Sequence, residues 1–196
     1  MRRIIVTAMS KARLEAFSDG VFAVIITIMV LELKAPHGVD LEAFRPLLPG
    51  FLTYVLSYVF LGIYWNNHHH LMHVVDRISG SSMWANLHLL FWLSLVPFVT
   101  GWMGENHFAA MPTAAYGVVL LLSGVAFLIF EKQLLRAGNP RLAAAIGKDI
   151  KGKLSAAMYS IGIPLAFFRP WIADVIYASV ALMWLVPDSR IERTNR

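Results

Sequence analysis

Six stretches of this chain are too apolar and too long for the surface of a water-soluble domain. They are Leu14–Leu33, Leu47–His68, Trp84–Met103, Pro112–Leu135, Leu154–Phe168 and Trp171–Val186. A helix crosses the hydrocarbon of a bilayer in about 20 mostly apolar residues, with a usual range of about 17–25. The last two stretches are short and separated only by Arg169 and Pro170, so they read as a tight helical hairpin. Composition agrees: 58% of residues are hydrophobic and 15% charged, where a soluble domain carries roughly 25% charged residues. One soluble core at this length does not hide that much apolar surface. The sequence therefore predicts an all-α, polytopic membrane protein with six transmembrane helices and a single domain over residues 1–196. The first span is too long, and too polar at Ser18-Asp19, for a cleaved signal peptide.

Basic residues set the direction. With the N-terminus inside, Lys34, Arg45 and Arg169 are the only outer ones among the 17 Lys and Arg. Arg2, Arg3, Lys11, Arg13, Arg77, Lys132, Arg136, Arg141, Lys148, Lys151, Lys153, Arg190, Arg193 and Arg196 all fall inside. That asymmetry follows the positive-inside rule and places both termini in the cytoplasm. Residues 136–153, with Gly138, Asn139 and Pro140, form a cytoplasmic loop with room for a short surface helix. The net charge of +5 is thus a matter of topology and does not imply nucleic acid. The chain has no cysteine, which excludes disulfides and thiolate metal sites.

Polar groups inside a span are expensive and usually have a task. The first span opens Arg13-Leu14-Glu15-Ala16-Phe17-Ser18-Asp19-Gly20. At about 100° per residue, Arg13, Phe17, Gly20, Val24, Thr27, Ile28 and Leu31 share one stripe, small or aliphatic with a single hydroxyl. Ser18 and Asp19 point away from it, toward neighbouring helices. By periodicity alone such a stripe is a packing face, and Ser18-Asp19 a structural polar pair. The second span ends Tyr64-Trp65-Asn66-Asn67-His68-His69-His70, and the third begins Trp84-Ala85-Asn86-Leu87-His88. All lie at the cytoplasmic level of Ser18 and Asp19, so the depth predicts one network of carboxylate, amide, imidazole and indole groups.

The run Arg13-x-x-x-Phe17-Ser18-Asp19-Gly20-Val21-Phe22-Ala23 resembles the signature of the transmembrane protein 175 family of potassium channels, bacterial branch. Tyr64-Trp65-x-x-His68-His69, Asn86-Leu87 and Pro97-Phe98-x-Thr100 resemble the family's second and third helices. The resemblance covers roughly residues 13–100. It implies a homotetramer of six-helix subunits in the inner (plasma) membrane, with lipid and monovalent cations as its other partners. It also implies no cofactor, K⁺ as the permeant ion, and a central pore lined by the first helix. Carried over by the motif, Val24, Ile28 and Leu31 are the constriction or gate, and Thr27 is the position tied to selectivity. Arg13, Phe17, Ser18, Asp19, Gly20, Trp65, His68, His69 and Asn86 make up the signature and its inter-helix network. Val24 departs from the larger aliphatic side chain expected at that ring, which leaves Ile28 or Leu31 as alternative gates. The usual potassium-filter loop of backbone carbonyls is absent, so selectivity is expected to be modest.

Competing readings have weaker footing. His69 and His73 are spaced i, i+4, as a metal on one helix face requires, but separated histidine boxes are lacking. A histidine cluster also suits pH sensing. A small secondary transporter or proton-coupled cation carrier is the main rival, yet no repeat relates the two halves of the chain. A non-conducting scaffold is a third class. No nucleophile with a base and orienter is present, so the chain is not read as an enzyme.

Overall fold

In the computed structural model, residues 10–146 and 149–185 are described, the side chains of 144–146 excepted. Arg2, Arg3, Lys148, Val186, Arg190, Arg193 and Arg196, used above for spans and charge, lie outside the described residues. All regular structure among the described residues is helical: α1 (Lys11–Leu31), a 3₁₀ segment (Leu41–Leu47), α2 (Leu48–His73), α3 (Gly80–Ser94), α4 (Val96–Glu105), α5 (Ala110–Arg136), α6 (Pro140–Ile146), α7 (Ile150–Leu165) and α8 (Pro170–Leu185).

Helix starts are written locally. Ser10 Oγ accepts from the Arg13 backbone N–H at 3.4 Å and Ser79 Oγ from Ser82 N–H at 3.1 Å. Asp149 Oδ1 accepts from Gly152 N–H at 2.8 Å. Each satisfies an amide that a helix start leaves without a partner. The third predicted span is broken at Leu95 into α3 and α4. Pro97 explains the break, because it has no N–H for the carbonyl of Leu93. Among the described residues, four segments are long and apolar enough to cross a membrane: Lys11–Leu31, Leu41–His73, Gly80–Glu105 and Ala110–Arg136. Helices α7 and α8 have 16 residues each, or about 24 Å of rise, short of the roughly 30 Å of hydrocarbon.

Helix α5 is the hub, packing on α3, α4, α7 and α8, while α1 sits at the edge against α2, α3 and α4. The α2–α4 crossing depends on Gly104. A Cβ at Gly104 would lie 2.6 Å from both Gly50 Cα and Thr53 Oγ1, so only glycine lets the backbones meet. At the far end of α1, Lys34 Nζ pairs with Glu105 at 2.6 Å. The hydrogen bond to Glu105 raises the Lys34 pKa above the ordinary lysine value. Both side chains are well exposed, so solvent screening leaves the pair a small contribution.

Gly104→Ala is expected to cost about 1–3 kcal/mol through forced separation of α2 and α4. Gly62→Ala is the control, because nothing lies within 4 Å of its Cβ position. Thermal unfolding in detergent measures both, and an equal drop in the two would remove the crossing as the cause.

Candidate pore-lining helix and its polar anchor

Helix α1 has one buried face and one open face. Leu14, Ser18, Phe22, Ile25 and Met29 are buried. They recur every three or four residues and so share one side of the helix.

Ser18 is the polar member of the buried face, and its hydrogen bonds have a single consistent direction. Its hydroxyl donates to the Leu14 carbonyl at 2.9 Å. The oxygen then accepts from Asn86 Nδ2 of α3 at 2.9 Å. The amide oxygen of Asn86 therefore faces His68 of α2, whose Nε2 lies 2.9 Å away. A carbonyl oxygen only accepts, so Nε2 carries the proton and Nδ1 the lone pair. That Nδ1 is buried with no hydrogen-bond partner. The imidazole is clamped between two rings, edge-on to Phe22 at 5.9 Å and stacked on Phe130 of α5 at 5.5 Å between centroids. Four helices thus meet at one buried histidine.

Asp19 belongs to a second, separate arm. Trp65 Nε1 donates to its carboxylate at 3.0 Å. The indole stacks on His69, and His69 Nδ1 lies 3.8 Å from Glu15. Both Trp65 and Asp19 are exposed in the single chain. The one network expected from depth is therefore two, because consecutive residues diverge by about 100° around a helix. His69 and His73 have ring centroids 6.5 Å apart. No group of three or more His, Asp or Glu that would hold a metal occurs among the described residues.

The signature residues outside both arms lie on the open face. Arg13 and Gly20 are exposed, and Phe17 is 52% exposed. Val24 is 55% exposed, Ile28 42% and Leu31 80%. Thr27 is exposed too, its hydroxyl donating back to the carbonyls of Ala23 and Val24, each at 2.9 Å. Its proton is spent on its own helix, leaving an oxygen lone pair for anything that approaches. Beside this face runs an open groove of about 1020 Å³, lined by Phe17, Val24 and Ile28 of α1 and by Pro97, Phe98 and Trp102.

Two polar knots escaped the sequence reading. Ser57 of α2, Thr100 of α4 and Tyr116 of α5 form a buried hydroxyl cluster, with Ser57 Oγ 2.7 Å from Thr100 and 2.9 Å from Tyr116. Asn139 clamps the loop between α2 and α3: its Oδ1 accepts from the N–H groups of Asp76 and Arg77. Its Nδ2 donates to the carbonyls of Arg77 and Leu134.

Residues 13–97 match the family model described as endosomal/lysosomal potassium channel TMEM175. A protein of Chryseobacterium sp. (strain P1-3) described as a potassium channel is 52% identical over 188 residues, covering 95% of this chain and 98% of its own. This chain belongs to the TMEM175 family. Its fold is also similar to the crystal structure of a lysosomal potassium-selective channel TMEM175 homolog from Chamaesiphon minutus. That match has a TM-score of 0.75 and 26% identity over 95% of this chain and 98% of that one. The Gallus gallus protein described as endosomal/lysosomal proton channel TMEM175 is 36% identical over 83 residues, 36% of this chain and 17% of its own length. In this TMEM175 chain, residues 13–97 span α1, α2, α3 and the start of α4, the helices that carry both polar arms.

Asn86→Leu strands the His68 Nε2–H in a buried site and is expected to cost about 1–3 kcal/mol. Trp65→Phe, on the exposed arm, is expected to cost less. Combining Ser18→Ala with Asn86→Leu should be less than additive, since both cut one chain of bonds. Additive unfolding midpoints would show that Ser18 and Asn86 act independently.

Proposed function

We propose that this TMEM175 chain forms a potassium-preferring cation channel in which copies of α1 surround the ion path. The observation that carries the reading is the open face of α1. It holds Val24, Thr27, Ile28 and Leu31, while the opposite face is tied into the subunit through Ser18. The 52% identical potassium channel relative supports the choice of ion. One α1 does not enclose a path, and closed cyclic symmetry is the usual way to make one. Four copies are proposed, with the α1–α4 groove of each subunit receiving its neighbour. Helices α7 and α8 complete six spans as a short hairpin, with both termini on the inner side of the cell membrane.

A ring of Val24, Ile28 or Leu31 side chains gates by dewetting, because an apolar constriction offers a cation nothing in exchange for its water. Thr27, between Val24 and Ile28, presents an oxygen with its proton turned to the helix backbone. That geometry suits partial replacement of a lost hydration shell. Rotation of α1 would widen the ring, and the Ser18–Asn86–His68 chain resists such rotation. The gallinaceous relative, named for proton conduction, supports a second reading in which protons share the path.

Reconstituted liposomes test this. Thr27→Ala should bring the potassium-over-sodium flux ratio toward unity, and Ile28→Ser should raise total flux by wetting the ring. An unchanged ratio in Thr27→Ala counts against the selectivity role. The chain has no cysteine, so Val24→Cys, Thr27→Cys, Ile28→Cys and Leu31→Cys can be probed on a clean background with a charged thiol reagent. Protection of all four positions in every state would overturn the pore assignment. Saturable, proton-coupled uptake would favour a carrier.

A further inference from the structure

Away from α1, the bundle encloses a second cavity between α2, α5, α7 and α8. Its volume is about 80 Å³, several times the roughly 10–15 Å³ that one water needs on the same measure. Three aromatic rings, Tyr64, Phe127 and Tyr159, line it together with the indole of Trp184. Tyr64 and Phe127 are paired at 6.1 Å between centroids, and Trp184 Nε1 donates to Ser155 Oγ at 2.9 Å, which holds the indole in place. These walls are prebuilt and do not have to be assembled by a ligand.

Two carboxylates complete the lining, Glu131 of α5 and Asp149 just before α7. Asp149 is committed, because its Oδ1 caps the Gly152 amide at 2.8 Å. Glu131 is not: no hydrogen bond or ion pair engages its carboxylate among the described residues. A carboxylate facing a small, mostly apolar space either takes up a proton or pairs with a cation, and the second is open wherever a cation can enter. The choice of cation follows from the walls. A metal ion wants several oxygen ligands at short range, and only one carboxylate here is uncommitted. Aromatic faces instead attract diffuse, weakly hydrated cations, above all alkylated ammonium groups. One cation already lies beside this wall, with Lys151 Nζ 5.8 Å from the centroid of the Trp184 ring.

We propose that this cavity is a binding site for a small organic ammonium ion, held by Glu131 against the faces of Tyr64, Tyr159 and Trp184. The volume admits a compact head such as tetramethylammonium and excludes a lipid. The site is distinct from the α1 face. Tyr64 belongs to α2, and its neighbours Trp65 and His68 make that helix's contacts with Asp19 and, through Asn86, Ser18. An ammonium in the cavity is therefore separated from α1 by α2 itself, and the site does not depend on α1 lining a pore.

Calorimetric titration of the full chain in nanodiscs with tetramethylammonium chloride tests the proposal, with tert-butanol as the uncharged probe of similar shape. Saturable binding of one ammonium per chain is expected, with no matching uptake of tert-butanol. Glu131→Gln keeps the side-chain shape and should weaken binding by about tenfold or more. Trp184→Phe keeps a ring for packing and should weaken it less. Thr27→Ala should leave it unchanged. The proposal is overturned if no saturable binding occurs, if Glu131→Gln binds as well as the parent, or if tert-butanol binds equally. It is also overturned if Thr27→Ala abolishes binding while Glu131→Gln preserves it, which would place the ammonium on the α1 face.

Discussion

The rotation of α1 about its own axis rests on one chain of hydrogen bonds with a forced direction. Ser18 donates to its own helix, so it accepts from Asn86; Asn86 then accepts from His68. Each link of the chain has one possible direction, and the far nitrogen of His68 is left without a partner. Inside a membrane the alternative to such pairing is an unmet polar group in hydrocarbon, which costs more than the bond is worth in water. The bonds therefore select an angle as much as they stabilise a contact. Turning α1 by one residue would carry Asp19 inward in place of Ser18 and break the chain at its first link.

That constraint explains how a helix at the edge of the bundle is held so firmly on one side and so little on the other. Hydrophobic packing alone discriminates poorly between rotations of an apolar helix, because lipid is as apolar as a neighbouring helix. The buried aliphatic residues Leu14, Ile25 and Met29 would tolerate a modest turn. A serine bonded at 2.9 Å to an amide on α3 would not. The aromatic clamp on His68 then carries the restraint to Phe130 on α5, the hub of the fold. The polar anchor and the open face are two consequences of one helix orientation. The second arm, Asp19 with Trp65, lies between them and is reachable by solvent or by another subunit.

The architecture was legible where it depended on length and hydropathy, and less so where it depended on angle. Four of the six apolar stretches are helical segments long enough to cross a membrane, and the break in the third was marked by Pro97. Period alone separated Ser18 from the Val24–Ile28–Leu31 stripe by a large angle, but it read the stripe as a packing face, whereas in the single chain the stripe is open and the buried face is the one that holds Ser18. The splitting of the polar groups into two arms was not anticipated from depth, because depth along a helix says nothing about azimuth. Ser57, Thr100 and Tyr116 were invisible for a different reason. A lone hydroxyl in an apolar span usually bonds its own backbone, and only the packing of α2, α4 and α5 brings three of them together. Asn139 resembled a turn residue between Gly138 and Pro140. Its function as a clamp depends on the loop from α2 arriving beside it.

In the proposed pore, ions are distinguished without a carbonyl filter. A backbone filter offers rigid rings of dipoles that replace a full hydration shell. A threonine hydroxyl offers one oxygen per subunit, and in α1 its orientation is set by two bonds to the preceding turn. Those bonds turn the proton away from the open face, so the oxygen acts as an acceptor without rearranging. A pre-oriented acceptor stabilises a partly dehydrated cation at no cost in reorganisation, yet too few oxygens are available to compensate the more tightly held water of a smaller ion. In such a pore, preference for potassium would arise mostly from the cost of stripping sodium at an apolar ring, with Thr27 supplying the return. Selectivity of that kind is graded, and it is set by ring width as much as by ligand chemistry. In the proposed pore the shorter side chain of Val24, on the same face as Thr27, would therefore bear on selectivity as well as on gating.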